Sequence, residues 1–262
     1  MTNFRQALWV ELLKARRSKM PLITALGFAL APLAGGFFMI VMKDPALARR
    51  MGMISAKAQI VAGAADWPTY LSLLAQAAAL GGFMLFSLIA AWVFGREYSD
   101  HTIKDLLALP TPRRSIVLAK FVVFALWALL LTLEVYLLGL LVGMLVGLPP
   151  ASAAVMIEGS VTLAGTAALT ILIAAPIAFF AGVGRGYLAP MGAAILLLIL
   201  AQVVAAAGWG EYFPWAVPAL HAGMAGPEMG QMGPVSYALV LLTALAGIAG
   251  TLVWWKWADQ TE

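Results

Sequence analysis

Arg96, Glu97, Asp100, His101, Lys104, Asp105, Arg113 and Arg114 crowd into one short stretch of a chain whose charged residues are only 11% of the total. Long apolar runs flank this island on both sides. Its residue types do not pair a nucleophile with a base. They suit recognition of a soluble partner at a membrane surface. Thr102 to Leu109 can form a short helix that offers Ile103, Leu106, Leu107 and Leu109 for contact, and Pro110 and Pro112 stop it. Such a helix can enter a groove on another protein. The candidate contact set is Glu97, Thr102, Ile103, Lys104, Asp105, Leu106, Leu107 and Pro110. The plainer alternative is a solvated loop that only obeys the positive-inside bias.

A second candidate is Glu134, alone in the apolar run Leu131-Thr132-Leu133-Glu134-Val135-Tyr136. A carboxylate at that depth costs a few kcal/mol unless it is protonated, paired or wet. It either lines a pathway or hydrogen-bonds to Gln76, Gln202 or a threonine of a neighbouring helix.

Other chemistries lack their residues. The chain has no cysteine, which excludes disulfides, thiolate metal sites and iron–sulfur clusters. Its two histidines, His101 and His221, are far apart in sequence, so neither a metal site nor a haem is expected. No phosphate loop, nucleophile elbow or zinc-protease helix motif occurs. Gly182-Val183-Gly184-Arg185-Gly186 follows no strand and reads as a tight turn. No cofactor and no catalytic residue is therefore expected. The basic residues sit beside apolar runs rather than on a separate domain, which argues against nucleic acid.

The elements that must position these groups are membrane spans. Hydrophobic residues make up 63% of the chain, and mean hydropathy is +0.95. Several runs approach the ~20 apolar residues that cross a ~30 Å hydrocarbon core, where the backbone has to satisfy itself as helix. The expectation is an all-α membrane protein, one transmembrane domain over residues 1–262, with six spans. These are Pro21–Met42, Tyr70–Phe94, Phe121–Val146, Ser160–Ala181, Tyr187–Ala207 and Val235–Trp257. Residues 1–19 read as an amphipathic interfacial helix with Phe4, Leu8, Leu12 and Ala15 on one face, interrupted by Trp9 and Leu13, or as a helical lead-in whose basic residues only fix topology. The first apolar run is too long for a signal peptide and reads as a retained span.

Twelve of the sixteen basic residues fall on one side if both termini are cytoplasmic. Residues 95–120 then form a cytoplasmic loop, while 43–69 and 208–234 lie outside. The latter segment carries Trp209, Tyr212, Phe213, Trp215 and His221 among four prolines. It reads as a broken, partly re-entrant element or as an aromatic cap. Pro176 should kink the fourth span, and Gly139 and Gly143 should let helices pack closely.

The pattern Glu97…Thr102-Ile103-Lys104…Leu107…Pro110-Thr111-Pro112-Arg113…Lys120 resembles the cytoplasmic loop of ABC-2-type transporter permeases. That family's loop runs through an acid, a Gly-Thr pair, two leucines, a proline, a Ser-Arg pair and a lysine that opens the next helix. This chain departs from it with Asp100-His101 where Asn-Gly is common and Pro112-Arg113 where Ser-Arg is common. The six-span layout and the aromatic outer segment are similar as well. The resemblance implies a coupling helix that docks a separate ATP-binding-cassette ATPase, a second permease chain to complete the transporter, and residence among the lipids of the cell membrane. The compact six-span members to which it is similar export antimicrobial peptides, bacitracin-type drugs or sodium. Two rival readings are an ion-gradient-driven transporter or channel using Glu134, and a membrane anchor or assembly factor.

Overall fold

The computed structural model describes residues 2–44, 64–108, 110–224 and 232–257, and all regular structure among them is helical. Helix α1 spans Thr2–Arg17, α2 Met20–Lys43 and α3 Trp67–Ser99. The short α4 spans Ile103–Ala108. Then come α5 Arg113–Val146, α6 Ala153–Ala174, α7 Ile177–Val183 and α8 Leu188–Ala206. A 3₁₀ turn at Gly210–Tyr212 and α9 at Val217–His221 precede α10 at Pro234–Trp257. Counting α6 and α7 as one, six segments among the described residues are long and apolar enough to cross a membrane. The chain is an all-α, multi-pass membrane protein.

Local chemistry sets the boundaries. Asp66 caps α3 by accepting from Thr69 N at 3.0 Å, and Ser152 caps α6 by accepting from Val155 N at 3.4 Å. Gly147, at φ 69°, ends α5 in the left-handed region that glycine enters without a Cβ penalty. The ε-ammonium of Lys43 donates to the carbonyls of Val146, at 2.8 Å, and Gly147, at 2.5 Å. Opposite charge at a helix C-terminus is favourable there.

Two spans outrun the apolar stretches that announce them. α3 has 33 residues and α5 has 34, so each is about 50 Å long at 1.5 Å per residue. Hydropathy marks where lipid begins, not where a helix stops. Both helices continue beyond that point because their polar ends pack against each other and against α1. The fourth span likewise starts at Ala153 rather than Ser160, directly after Pro149-Pro150 and the Ser152 cap. Pro176 breaks it between α6 and α7, and a Cβ on Gly247 of α10 would lie 2.5 Å from Pro176 Cα, so α10 crosses tightly at the break.

α3 packs most extensively on α6 and stands at the centre, with α2 and α5 on its other sides. More than half of each central span window (α3, α5, α6–α7) is buried, against less than a third for α2, α8 and α10. The peripheral helices turn Leu26, Leu30 and Leu33 of α2 and Leu196, Ile199 and Val203 of α8 outward, as lipid permits. Gly139 and Gly143 do bring helices together: a Cβ at either would run into Leu74 or Trp67 of α3. α1, the 100–112 segment, the 182–187 turn and the end of α10 share one end of the bundle, joined by contacts from Gly95 to Gly186 and from Arg113 to Trp255.

Candidate functional site

That shared end is built around four charges contributed by three helices. Lys120, near the start of α5, is fully buried, and its Nζ donates to Glu97 Oε1 of α3 at 2.7 Å. The same nitrogen donates to Glu11 Oε2 of α1 at 3.1 Å and to the Val93 carbonyl at 2.7 Å. Lys14 of α1 donates to Glu11 Oε1 at 2.8 Å and to Glu97 Oε1 at 2.9 Å. Two carboxylates and two ammonium groups thus form a closed, charge-neutral ring. Burying any one of them alone would be strongly unfavourable, and the ring removes that cost only while all members stay in place. Burial, the largest single influence on Lys14, pulls its pKa down, but the carboxylates of Glu97 and Glu11 outweigh it, so its pKa lies above the ordinary lysine value.

The ring reverses part of the sequence expectation for α1. Phe4, Leu8 and Ala15 do turn inward, but Leu12 is exposed, and Ala7, Glu11 and Lys14 complete the face against the bundle. Glu11 is the only acid in the first 43 residues, set among Arg5, Lys14, Arg16, Arg17 and Lys19. That isolation was the available signal for a buried partner. Glu97, grouped by sequence with the residues expected to contact a partner, is buried beneath the segment rather than presented on it.

Above the ring, the chain leaves α3 through a left-handed turn. His101 sits at φ 56°, and Thr102 N donates to Glu97 O at 2.9 Å, closing the helix end. Ile103 is buried in the protein, and Leu106 is half-buried beside α1, where it lines a small cavity together with Gln6, Ala7, Glu11 and Thr111. Thr102, Lys104, Asp105 and Pro110 are exposed. Ile103 and Leu106, two of the apolar residues expected to face a partner, therefore hold α4 down, while Lys104 and Asp105 face out. The side chain of Leu107, and Leu109 altogether, lie outside the described residues. Flanking contacts stiffen the frame: Arg96 pairs with Asp100 at 3.0 Å and stacks 5.1 Å over Trp92. Arg113 Nη1 donates to the Trp255 carbonyl at 3.1 Å, and Trp255 also meets Tyr98 edge-on.

Glu134 lies half-buried on α5. The hydrogen bonds considered for it are not made among the described residues: Gln76 donates to Ser72 of its own helix at 3.1 Å. Gln202 instead borders a cavity of about 310 Å³ shared with Ala79, Trp215 and Leu220. Within residues 208–224, Trp215 Nε1 donates to the Ile173 carbonyl at 3.1 Å, beside the Pro176 break. His221 pairs with Tyr237 of α10 at 3.1 Å. Residues 225–231 and 45–63, including Arg49, Arg50 and Lys57, lie outside the described residues. Among the described residues no cluster of three or more metal-ligating side chains occurs. The 182–186 turn carries Arg185 at φ 49° and packs on Gly95.

Residues 7–201 match the sequence profile of the ABC-2 family transporter protein. The chain is also 31% identical over 181 residues to the bacitracin transport permease protein BCRB of Bacillus licheniformis, covering 68% of this chain and 85% of that one. The matched region begins in α1 and runs through the ring, the short helix and the first five spans. The chain therefore belongs to the ABC-2 family of transporter proteins and is a transmembrane permease subunit of an ABC transporter.

Proposed function

We propose that the 100–112 segment receives force from a separate ATP-binding-cassette ATPase, and that this force drives export of a peptide or drug. The observation that carries the reading is the placement of α4. It is tethered by Ile103 and Leu106, presents Lys104 and Asp105 outward, and stands over an ion ring that joins α1, α3 and α5. A push on α4 is thus delivered to two helices of about 50 Å at once. Rigid elements that move together are what a rocking transition requires. The chain lacks a phosphate loop, so ATP hydrolysis is assigned to the partner. A second permease chain completes the pathway, and the basic end of the bundle, with both termini, faces the cytoplasm. The peptide or drug class is carried over from the relative named for bacitracin transport.

The absence of native cysteine permits a direct test. Lys104→Cys and Asp105→Cys are expected to cross-link to the co-expressed ATPase, while Glu158→Cys, exposed near the far end of α6, is not. Equal labelling of all three, or none at 104 and 105 in an ATPase-active complex, sinks the reading.

A further inference from the structure

We propose that the cleft between α1 and the end of α3 is a binding site for the phosphate of an anionic membrane phospholipid. Six residues line it: Val10, Leu13, Lys14, Arg17, Ser18 and Arg96. Its volume is about 210 Å³, room for roughly seven waters at their share of the liquid. A phosphate with part of its glycerol fits such a space.

The lining has two chemistries. Val10 and Leu13 make an apolar wall, and Lys14, Arg17 and Arg96 bring three cations with no carboxylate lining the cleft. Lys14 is divided between Glu11 and Glu97. Arg96 spends Nε on Asp100, yet its Nη1 is buried with no partner among the described residues. Arg17 is exposed and has no acidic partner among them. Around the cleft, Lys14, Arg17, Arg96 and Lys120 face, among the described residues, only Glu11, Glu97 and Asp100. One positive charge and one buried donor are left over. An anion with several acceptor oxygens matches both.

The source is a lipid rather than a free anion because of where the cleft opens. Trp9, Val10 and Leu12 are exposed along α1 beside it. An amphipathic helix with outward aromatic and aliphatic residues lies in the headgroup layer, where basic pockets attract anionic headgroups. A bound lipid would brace α1 against α3 next to the ion ring.

Native mass spectrometry of the full chain in detergent tests this. With phosphatidylglycerol added, one lipid should remain bound, and phosphatidylcholine should be retained at least tenfold less. Arg17→Gln should reduce phosphatidylglycerol retention roughly tenfold, the size of one charge-assisted hydrogen bond. Arg16→Gln, on another face of α1, should leave it unchanged. Val10→Glu places a carboxylate on the apolar wall and should reproduce the loss, which guards against misfolding of one variant. Equal retention of the two lipids, equal loss in both arginine variants, or displacement of the lipid by millimolar inorganic phosphate would each overturn the proposal.

Discussion

Lys120 Nζ lies 2.7 Å from Glu97 Oε1, with side-chain exposures of 0% and 3%. This contact joins α5 to α3 where both emerge from the apolar core, and Glu11 and Lys14 bind α1 to the same point. The end of the bundle on which a partner would act is therefore one mechanical unit.

Breaking the pair one side at a time leaves an uncompensated buried charge. Lys120→Met and Glu97→Gln are each expected to destabilise the purified protein by about 3–5 kcal/mol. Combining the two restores charge neutrality, with Glu11 and Lys14 left as the remaining pair. The double variant should regain stability relative to Lys120→Met. Thermal unfolding in detergent reads this, and strict additivity of the two losses would refute the ring as a coupled unit.

The Lys14 contribution has a defined pH window. Its folded pKa is raised above the ordinary value of 10.5 because Glu97 and Glu11 outweigh burial. A raised pKa means that the stability it provides is complete below 10.5 and is lost as pH climbs through the higher folded value. Unfolding temperature should therefore show no Lys14-dependent change between neutral pH and about pH 10. Above that it should fall more steeply in the wild type than in Lys14→Gln. Identical alkaline slopes in the two proteins would remove the ion pairs from the account.

His101 occupies a left-handed position at φ 56° with no glycine to ease it. His101→Gly is expected to stabilise by up to about 1 kcal/mol, and His101→Val to destabilise by a similar amount, since a Cβ branch worsens the clash. Limited proteolysis of the 100–112 segment would register both changes, and a more protease-resistant His101→Val would contradict the geometry.

Gly95 and Gly81 lie on the same helix and should respond oppositely to alanine. A Cβ at Gly95 would sit 2.7 Å from the Gly186 carbonyl oxygen, while one at Gly81 meets nothing within 4 Å. Gly95→Ala should cost about 1–3 kcal/mol by forcing the 182–187 turn away. Gly81→Ala should be neutral or slightly stabilising, because alanine favours helix over glycine. Melting temperatures of the two variants compare them directly.

By itself the sequence determined what one-dimensional physics can decide. Apolar length sets the spans, because a backbone in lipid has to be helical. Pro176, deep inside an apolar run, marks where the fourth span is interrupted, and charge density locates the polar island between two runs. It could also single out Glu11 as an isolated acid, but not name its partner. Glu11 meets Lys120 across 109 positions of chain, and only the packing of α1 onto α5 brings them together. The same packing decides that Leu12, on the apolar stripe of α1, faces outward, and that Ile103, offered by sequence for contact, faces inward. It also decides that Glu97 is a buried tie rather than a surface contact. Side-chain type reports the cost of burial, whereas the helices that surround a site determine whether that cost is met.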